Sequence, residues 1–272
     1  MEPILVEDET SLFYLPETEL LNGHPTFVFL NIKIMKIEIW SDVMCPFCYI
    51  GKRHLEQALT ELPFKDSIDI NWKSYQLNPA YHNEDGENLY DYLSKNKGIS
   101  LEQAKQMTIQ VATMGNNVGL NLDFETNIPA NSFDAHRLIH FAASKGKQDL
   151  AEEYLFKAHF EEAKNIADTN VLLEIAASLG LDIEETKTVL TSDKFAEEVR
   201  FDIYESQQIG VRGVPFFVMD RKYALSGAQP VDAFKQAITQ SYNEWKVAQE
   251  STSLKNLNTN STNTCDENGC EI

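Results

Sequence analysis

The stretch WSDVMCPFCYIGK places two cysteines, Cys45 and Cys48, at the boundary between two different sequence patterns. The preceding residues 36–43, KIEIWSDV, alternate between apolar and polar side chains, which predicts a β-strand. The following run, YIGKRHLEQALTEL, has the spacing of an amphipathic helix. A cysteine pair at this spacing is a redox centre, half of a metal site, or a coincidence, and the context must decide among the three.

A second strand is predicted after this helix. Residues 67–77, SIDINWKSYQL, alternate again, and the resulting β-α-β unit implies a parallel pair because its strands are joined by a crossover. From about Leu89 to Gln208 almost every segment has helical periodicity. Predicted helices cover residues 101–120, 132–146, 149–163, 168–180 and 192–210, with Ser132, Asp168 and Ser192 as N-caps.

Two short strands return after the helical block. VPFFVMD and KYALSG are predicted to form a hairpin with a tight turn at Asp220 and Arg221, and Pro230 opens a final helix. Because strands flank the helices at both ends, we predict an α/β fold with an inserted all-helical domain.

The predicted domain boundaries follow from these patterns. The α/β domain takes residues 35–80 and 210–250, and the helical insert takes residues 81–209. Residues 1–34 form a leader that is poorly integrated with the rest, and Met35 is an alternative start. The polar residues 251–272 are predicted to form a flexible tail that carries a CxxxxC pair.

The charge balance excludes several classes of partner. The chain has 42 acidic and 23 basic residues and a formal net charge of −19, which repels nucleic-acid phosphates and anionic membranes. No apolar run is long enough to span a bilayer, and the acidic first residues differ from a secretory signal. We therefore expect a cytoplasmic protein, where structural disulfides are rare and a close cysteine pair is catalytic or metal-binding.

The position of Cys45 favours redox chemistry. A thiol at the start of a helix that begins near Pro46 lies among free backbone N–H groups and at the positive end of the helix dipole, which both favour a thiolate. Cys48 lies one turn further in, where it is more buried and can resolve a mixed disulfide on Cys45. A CxxC between a strand and a helix in a β-α-β unit is the thioredoxin-type redox signature.

Pro215 in the stretch GVRGVPFFV is a second candidate element of this site. It lies just before a strand, and an X-Pro bond adopts the cis form at modest cost. In thioredoxin-like folds a cis-proline loop faces the cysteine pair, and the backbone of the preceding residue, here Val214, would bind a peptide. An ordinary proline at a strand start is the alternative interpretation.

Three stretches together resemble the DsbA-family oxidoreductases, specifically the FrnE-like branch. They are SDVMCPFCYIGK, NSFDAHRLIHFAASKGKQDLAEEYLFKAHFEEAKNI and GVRGVPFFV, and the similarity runs from about Lys36 to about Glu250. The family fold is a thioredoxin-like domain with an inserted helical domain. The resemblance implies a thiol–disulfide oxidoreductase or disulfide isomerase that needs no bound cofactor and no metal. Protein or small-molecule thiols and disulfides are the implied partners, with glutathione as a candidate.

The resemblance also implies roles for individual residues. Cys45 would attack and Cys48 would resolve, while Pro215 would be the cis proline. Pro46, Phe47, Val214 and His136 are further candidates for contact with substrate, and His136, in the stretch NSFDAHR, is also a candidate for proton transfer. A helix histidine held by local hydrogen bonds is the alternative for His136.

Two residues in or near the cysteine motif bear on its redox strength. They are Phe47, which differs from the residue in the strongly oxidising periplasmic members, and Asp42. Those members carry Pro-His between the cysteines, whereas this chain carries Pro46-Phe47, and Phe47 cannot donate a hydrogen bond to a thiolate. We therefore expect a weaker oxidant. Asp42 lies three residues before Cys45. If its carboxylate is close to the Cys45 sulfur, it would oppose the thiolate or take up a proton. The alternative is a surface acid.

The tail pair Cys265 and Cys270 suggests a redox relay. CDENGC places both thiols around an Asn-Gly turn, so they could close a small disulfide loop, although Asp266 and Glu267 make them sluggish nucleophiles by raising their pKa. A flexible tail of about 16 residues spans roughly 22 Å on average, and we hypothesise that it exchanges with Cys45. An idle exposed thiol pair is the alternative.

Three rival functions remain open at this point. All four cysteines could bind zinc, although the spacings of the two pairs differ. The fold is similar to 2-hydroxychromene-2-carboxylate isomerases and kappa-class glutathione transferases, which use glutathione on small molecules and typically carry Ser at the nucleophile position. A non-catalytic chaperone that binds polypeptides would survive the loss of both Cys45 and Cys48.

Overall fold

The computed structural model of the protein describes residues 34–82 and 86–251. The predicted leader up to residue 33 and the tail from residue 252, with Cys265 and Cys270, lie outside this range. The strands are β1 (Met35–Ser41), β2 (Ile68–Ser74), β3 (Phe216–Met219) and β4 (Tyr223–Ser226). The helices are α1 (Pro46–Thr60), α2 (Leu89–Lys97), α3 (Leu101–Asn116), α4 (Phe133–Ala143), α5 (Gln148–Phe160), α6 (Thr169–Ser178), α7 (Ile183–Leu190), α8 (Ala196–Gln208) and α9 (Val231–Ser251).

The four described strands form one mixed sheet in the order β2-β1-β3-β4. Strand β1 pairs with β2 in parallel from Met35 opposite Ile68 to Ser41 opposite Ser74, which confirms the predicted β-α-β unit. Strand β3 runs antiparallel to β1, and β4 antiparallel to β3. The turn between β3 and β4 has positive φ angles of 49° at Asp220 and 52° at Arg221, as a two-residue hairpin turn requires.

The buried apolar residues form two clusters. One contains Ile37, Ile39 and Phe217 of the strands with Phe234 and Ile238 of α9. The second joins the cysteine motif to the helical segment α2–α8 that the chain inserts between β2 and β3. The cysteine pair therefore lies at the junction between the sheet and the inserted helices, and the α/β thioredoxin-like prediction with a helical insertion is confirmed.

The outer edge of β2 is covered by side chains of the inserted helices. The Gln148 side chain accepts a hydrogen bond from the Trp72 backbone N–H at 3.1 Å and donates one to the Trp72 carbonyl at 2.8 Å. The Asp202 carboxylate accepts bonds from the Ser74 N–H and from Lys73 Nζ, both at 3.0 Å. These contacts satisfy edge groups of the sheet that would otherwise be open to pairing with another chain.

Two of the predicted helix caps do not act as caps in the structure. Ser132 occupies the N-cap position of α4, but its side chain makes no capping hydrogen bond, and the Asn131 side chain accepts from the Phe133 N–H instead. The prediction of Ser192 as the cap of the last inserted helix is wrong, since α8 begins after Phe195. The Ser192 hydroxyl donates to the Thr188 carbonyl at the end of α7, a helix that was not predicted separately.

The Asp202 contacts lead to a prediction about stability. Burial opposes ionisation of Asp202, but His140, the Ser74 N–H and Lys73 outweigh it and lower its pKa. We expect Asp202→Asn to reduce the free energy of unfolding by about 2–3 kcal/mol at pH 7, because neighbouring donors lose a charged acceptor. Because the folded-state pKa is lowered, this stabilisation is complete above about pH 4 and is lost as pH falls through the folded-state value.

Urea unfolding of Asp202→Asn at pH 7 and at pH 3 measures both effects. Asp232→Asn is the matched control, since its side chain is 86% exposed and the substitution should change stability by less than about 0.5 kcal/mol. An equal loss of stability for Asp202→Asn at both pH values would contradict the electrostatic explanation.

Candidate active site

The two cysteines of the motif lie at the first turn of α1. Cys45 is the N-cap residue, Pro46 begins the helix, and the Cys48 N–H donates to the Cys45 carbonyl at 3.0 Å. Cys45 is 4% exposed and Cys48 is 0% exposed, so the predicted order of burial is confirmed. The first turn of α1 carries no acidic side chain, and the Cys45 side chain makes no capping hydrogen bond.

The Val214–Pro215 loop faces this pair across the site. The peptide bond between the two residues is cis, and the Cys45 thiol donates to the Val214 carbonyl at 3.5 Å. The Gly227 N–H holds the Pro215 carbonyl at 2.8 Å. A side chain at Gly51 would place its Cβ 3.1 Å from Pro215 Cγ, so the glycine allows α1 to approach the loop closely. The structure therefore brings together three of the predicted site residues, Cys45, Val214 and Pro215.

The surface beside Cys45 is apolar. The Phe47 side chain is 38% exposed and Leu77, in the segment after β2, is 51% exposed, while Pro46 and Met44 are half-buried. Leu77 was not predicted as part of the site. The structure brings it near the cysteine motif through the hydrogen bond from its N–H to the Asp42 side chain. An apolar rim of this kind suits a partner with apolar side chains next to its disulfide.

Cys48 is held in the thiol form by its surroundings. Burial raises its pKa well above the usual value, and the neighbouring Cys45 adds to the effect. The Asp42 backbone and the Ser41 side chain act in the opposite direction. Cys48 therefore carries a proton at neutral pH, and this proton must leave before the sulfur can attack a disulfide.

Asp42 is a buried carboxylate, so the interpretation as a surface acid is wrong. Its side chain accepts from the Met44 N–H at 3.1 Å and from the Leu77 N–H at 2.7 Å. Burial alone would raise its pKa, but the neighbouring His136 ring and these two donors hold the pKa below its usual value. The Asp42 carbonyl also accepts from the Cys45 N–H at 2.8 Å.

His136 is fully buried beside Asp42. Its ring is 0% exposed, its Nε2 lies 3.6 Å from Asp42 Oδ1, and neither ring nitrogen has a hydrogen-bond partner among the described residues. Direct contact with substrate, as predicted from the resemblance, does not fit this burial. The alternative of a histidine held by local hydrogen bonds does not fit either, because such bonds are missing within the described residues.

Other residues of the NSFDAHR stretch hold the surrounding backbone. The Asn131 side chain donates to the Pro79 and Tyr81 carbonyls, at 3.0 and 3.1 Å, and thereby fixes the segment after β2. Arg137 is buried and donates to several carbonyls at and after the end of α7, among them Val189 and Ser192. The stretch therefore organises the junction as well as supplying His136.

A cluster of ionisable groups joins α1 to α5 beside the site. The Lys52 ammonium contacts Glu56, Asp149 and Glu153, and Arg53 pairs with Glu153. Glu152 is buried next to this cluster, and its Oε2 has no hydrogen-bond partner among the described residues. None of these residues was predicted to belong to the site, because the same charges are typical of a helix face exposed to solvent.

The described residues contain neither a metal-binding cluster nor a membrane-spanning helix. In residues 34–82 and 86–251, no group of three or more His, Cys, Asp or Glu side chains is arranged to hold a metal ion. The four-cysteine zinc hypothesis involves Cys265 and Cys270, which are not described, so it stays a hypothesis, as does the redox relay. None of the described helices has the length and apolarity that a membrane span requires.

Comparison with known proteins identifies the family. Residues 36–239 match the family model of the DSBA-like thioredoxin domain, which is three quarters of the chain. This chain therefore belongs to the DsbA-like thioredoxin-domain family of thiol oxidoreductases.

Individual relatives agree with this assignment. The crystal structure of SCO1869 from Streptomyces coelicolor, named a probable DsbA oxidoreductase, is 34% identical with a TM-score of 0.74, and the match covers 88% of this chain and 99% of that one. The Bacillus subtilis protein YwbO is 27% identical over 205 residues, or 75% of this chain and 95% of that protein. The cytosolic disulfide reductase DsbM of Pseudomonas aeruginosa shares the fold at 16% identity, with a TM-score of 0.51 and coverage of 80% and 100%.

The buried Glu152 provides a test of the electrostatics behind the site. Burial raises its pKa to about 8, against the attraction of Lys52. The pKa of Glu152 is higher in the folded state than in the unfolded state. The folded protein is therefore most stable below about pH 4, where Glu152 is neutral in both states, and it loses this stability as pH rises toward 8. Gln cannot ionise, so Glu152→Gln does not lose stability in this way as pH rises. We therefore expect the substitution to raise the free energy of unfolding by about 2 kcal/mol at pH 7.

Denaturant unfolding at several pH values between 4 and 9 measures this difference, which should grow with pH up to about 8. The control is Glu184→Gln, whose side chain is 81% exposed and should show no such trend. A Glu152→Gln protein that is less stable than wild type across the whole range would show that the carboxylate form is the one the fold requires.

Proposed function

We propose that this protein is a thiol–disulfide oxidoreductase with disulfide isomerase activity that uses the Cys45-Pro46-Phe47-Cys48 dithiol. The observation that carries the proposal is the position of Cys45, at the N-terminus of α1 and opposite the Val214 carbonyl of a cis-proline loop. Cys48, buried one turn further along the helix, supplies the second thiol.

The reaction proceeds in two exchanges. The Cys45 thiolate attacks one sulfur of a substrate disulfide, which forms a mixed disulfide and releases the other substrate sulfur as a thiolate. Cys48 then loses its proton and attacks the Cys45 sulfur, which forms the Cys45–Cys48 disulfide and releases the second substrate thiolate. The substrate gains the two electrons that the dithiol loses, and the reverse sequence introduces a disulfide.

Protein disulfides and small disulfides, including glutathione disulfide, are the substrate class that suits this site. A peptide would lie along the backbone of Val214 and Pro215 and over the apolar surface of Phe47 and Leu77. We place the reaction in the cytoplasm, in agreement with the location named for DsbM. A reducing cytosol favours the reductase and isomerase directions over net oxidation.

Two other functions make different predictions. A glutathione-dependent isomerase or transferase for small molecules needs one residue at position 45 to bind the glutathione sulfur, and the resolving Cys48 would have no role. A polypeptide-binding chaperone would need neither cysteine. The dependence of activity on each cysteine separately distinguishes all three.

Substitution of each cysteine tests the proposal. We expect Cys45→Ser to abolish reduction and reshuffling of a model protein disulfide, because the attacking thiol is missing and Cys48 is buried with a raised pKa. We expect Cys48→Ser to stop turnover after one exchange and to accumulate a mixed disulfide on Cys45, because the resolving thiol is missing. Turnover of the model substrate and mass spectrometry of the trapped protein measure the two effects, and full turnover in Cys48→Ser would contradict the dithiol mechanism.

The residue between the cysteines should set the reduction potential. Phe47 cannot stabilise a thiolate by hydrogen bonding, and it is exposed, so replacing it is not expected to disturb the core. We expect Phe47→His to stabilise the reduced form and to make the Cys45–Cys48 pair more oxidising by at least about 30 mV, which corresponds to about 1.4 kcal/mol. Equilibration with glutathione measures the change.

The matched control is Phe47→Leu, which keeps an apolar side chain at position 47 and should leave the potential within about 10 mV of wild type. Equal shifts in the two variants would indicate that packing, and not hydrogen bonding, sets the potential.

A further inference from the structure

Helix α4 carries two histidines one turn apart, each beside a buried aspartate, and the two differ in their bonding. His140 Nε2 lies 3.1 Å from Asp202 Oδ2 and 3.2 Å from the Ser74 hydroxyl. His136 is more deeply buried, yet neither of its ring nitrogens has a hydrogen-bond partner among the described residues. A buried polar ring is normally hydrogen-bonded, whereas His136 Nε2 makes only a longer contact of 3.6 Å to Asp42 Oδ1 among the described residues, which points to a role other than holding the fold.

Asp42 connects His136 to the resolving cysteine. Its carboxylate lies 3.6 Å from His136 Nε2, while its backbone is a polar neighbour of the Cys48 thiol. His136 and Cys48 are therefore both neighbours of one buried residue, Asp42. The Ser41 hydroxyl, fully buried and without another partner among the described residues, lies beside the same thiol.

The Asp42 carboxylate itself is a poor proton acceptor. Its pKa is lowered, and its two oxygens already accept from backbone N–H groups. Such a group is better suited to stabilising a positive charge on a neighbouring ring. A histidine beside a buried carboxylate is a common arrangement for a general base.

The remaining titratable groups of the junction supply little charge at neutral pH. His159 on α5 is kept neutral because burial lowers its pKa to about 4, against the influence of Asp42. Glu152, also on α5, is largely protonated at pH 7 because burial raises its pKa to about 8. Lys52 of α1 is paired with acids of α1 and α5. The carboxylate of Asp42, by contrast, lies 3.6 Å from His136 Nε2.

We propose that His136, assisted by Asp42, accepts the proton of Cys48 when this thiol attacks the mixed disulfide on Cys45. The proton moves from Cys48 Sγ to a nitrogen of His136, the Cys48–Cys45 bond forms, and the substrate thiolate leaves. In the reverse direction, protonated His136 returns the proton to Cys48. This inference rests on the dithiol reaction proposed above and adds to it the group that makes the resolving thiol reactive.

A two-phase reaction with an aromatic disulfide, dithiobis(nitrobenzoate), separates the two steps. The first coloured thiolate is released when Cys45 attacks the reagent, and the second when Cys48 resolves the mixed disulfide. All proteins carry Cys265→Ser and Cys270→Ser so that the tail thiols do not react. At pH 7 we expect His136→Gln to slow the second phase at least about tenfold and to leave the first phase within about twofold.

The pH dependence distinguishes proton transfer from a structural effect. Without the base, the second phase of His136→Gln should rise about tenfold per pH unit, because only the spontaneously ionised Cys48 reacts. The second phase of the wild-type protein should rise much less steeply between pH 6 and 9, and this measurement remains available if the variant does not fold. A wild-type slope of tenfold per unit would overturn the inference.

His140→Gln is the matched control, since it removes the other histidine–aspartate pair of the same helix. Both of its phases should stay within about twofold of wild type. A second phase that is equally slow in His140→Gln and His136→Gln, or unchanged in His136→Gln, would contradict the role of His136. Absence of a second phase in the wild-type protein would instead contradict the proposed dithiol function.

Discussion

The buried carboxylate of Asp42 is the contact on which the arrangement of the site depends. Its oxygens accept from Met44 in the turn before Cys45 and from Leu77 after β2, and its charge faces His136 of the helical segment. One side chain thus fixes the backbone that presents the cysteines, the exit of the neighbouring strand, and the docking of α4. A desolvated charge is stable in such a position only when donors surround it, which explains why three separate parts of the chain converge there.

The same junction gives the two cysteines different chemical environments. Cys45 is at the helix start, and its thiol donates to the Val214 carbonyl of the cis-proline loop. Cys48 is enclosed by apolar neighbours of α1 and of the inserted helices, so its thiol form is favoured. A reactive outer sulfur and a protected inner sulfur are what a dithiol needs in order to attack first with one cysteine and then with the other. The inserted helices therefore contribute to the chemistry as well as cover the sheet.

Local patterns were sufficient to predict most of the fold. The alternation in β1 and β2, the helix signature of α1 and the hairpin turn at Asp220 and Arg221 each depend on short-range rules, and the structure agrees with them. The wrong prediction of a helix cap at Ser192 also has a physical reason. Ser192 has the composition of a helix cap, but its hydroxyl bonds to the preceding helix, and only the tertiary structure determines which helix it serves.

The candidate site was predictable only in part, for a similar reason. The cysteine spacing and the position of Pro215 are visible along the chain. The burial of Asp42 and His136, and the proximity of Leu77, result from contacts between residues 35 or more positions apart. A charged residue three positions before Cys45 is equally compatible with a surface turn, so no local pattern could have distinguished the buried acid from an exposed one.

Whether Cys45 and Cys48 form a reversible redox pair is measured by their equilibrium with glutathione. The full-length protein is equilibrated in buffers of graded glutathione ratio and alkylated, and the peptide with residues 45 and 48 is separated from the tail peptide and weighed. We predict a single two-electron transition near the cytosolic glutathione potential, between about −320 and −220 mV. A pair that stays fully reduced in every buffer would contradict the account.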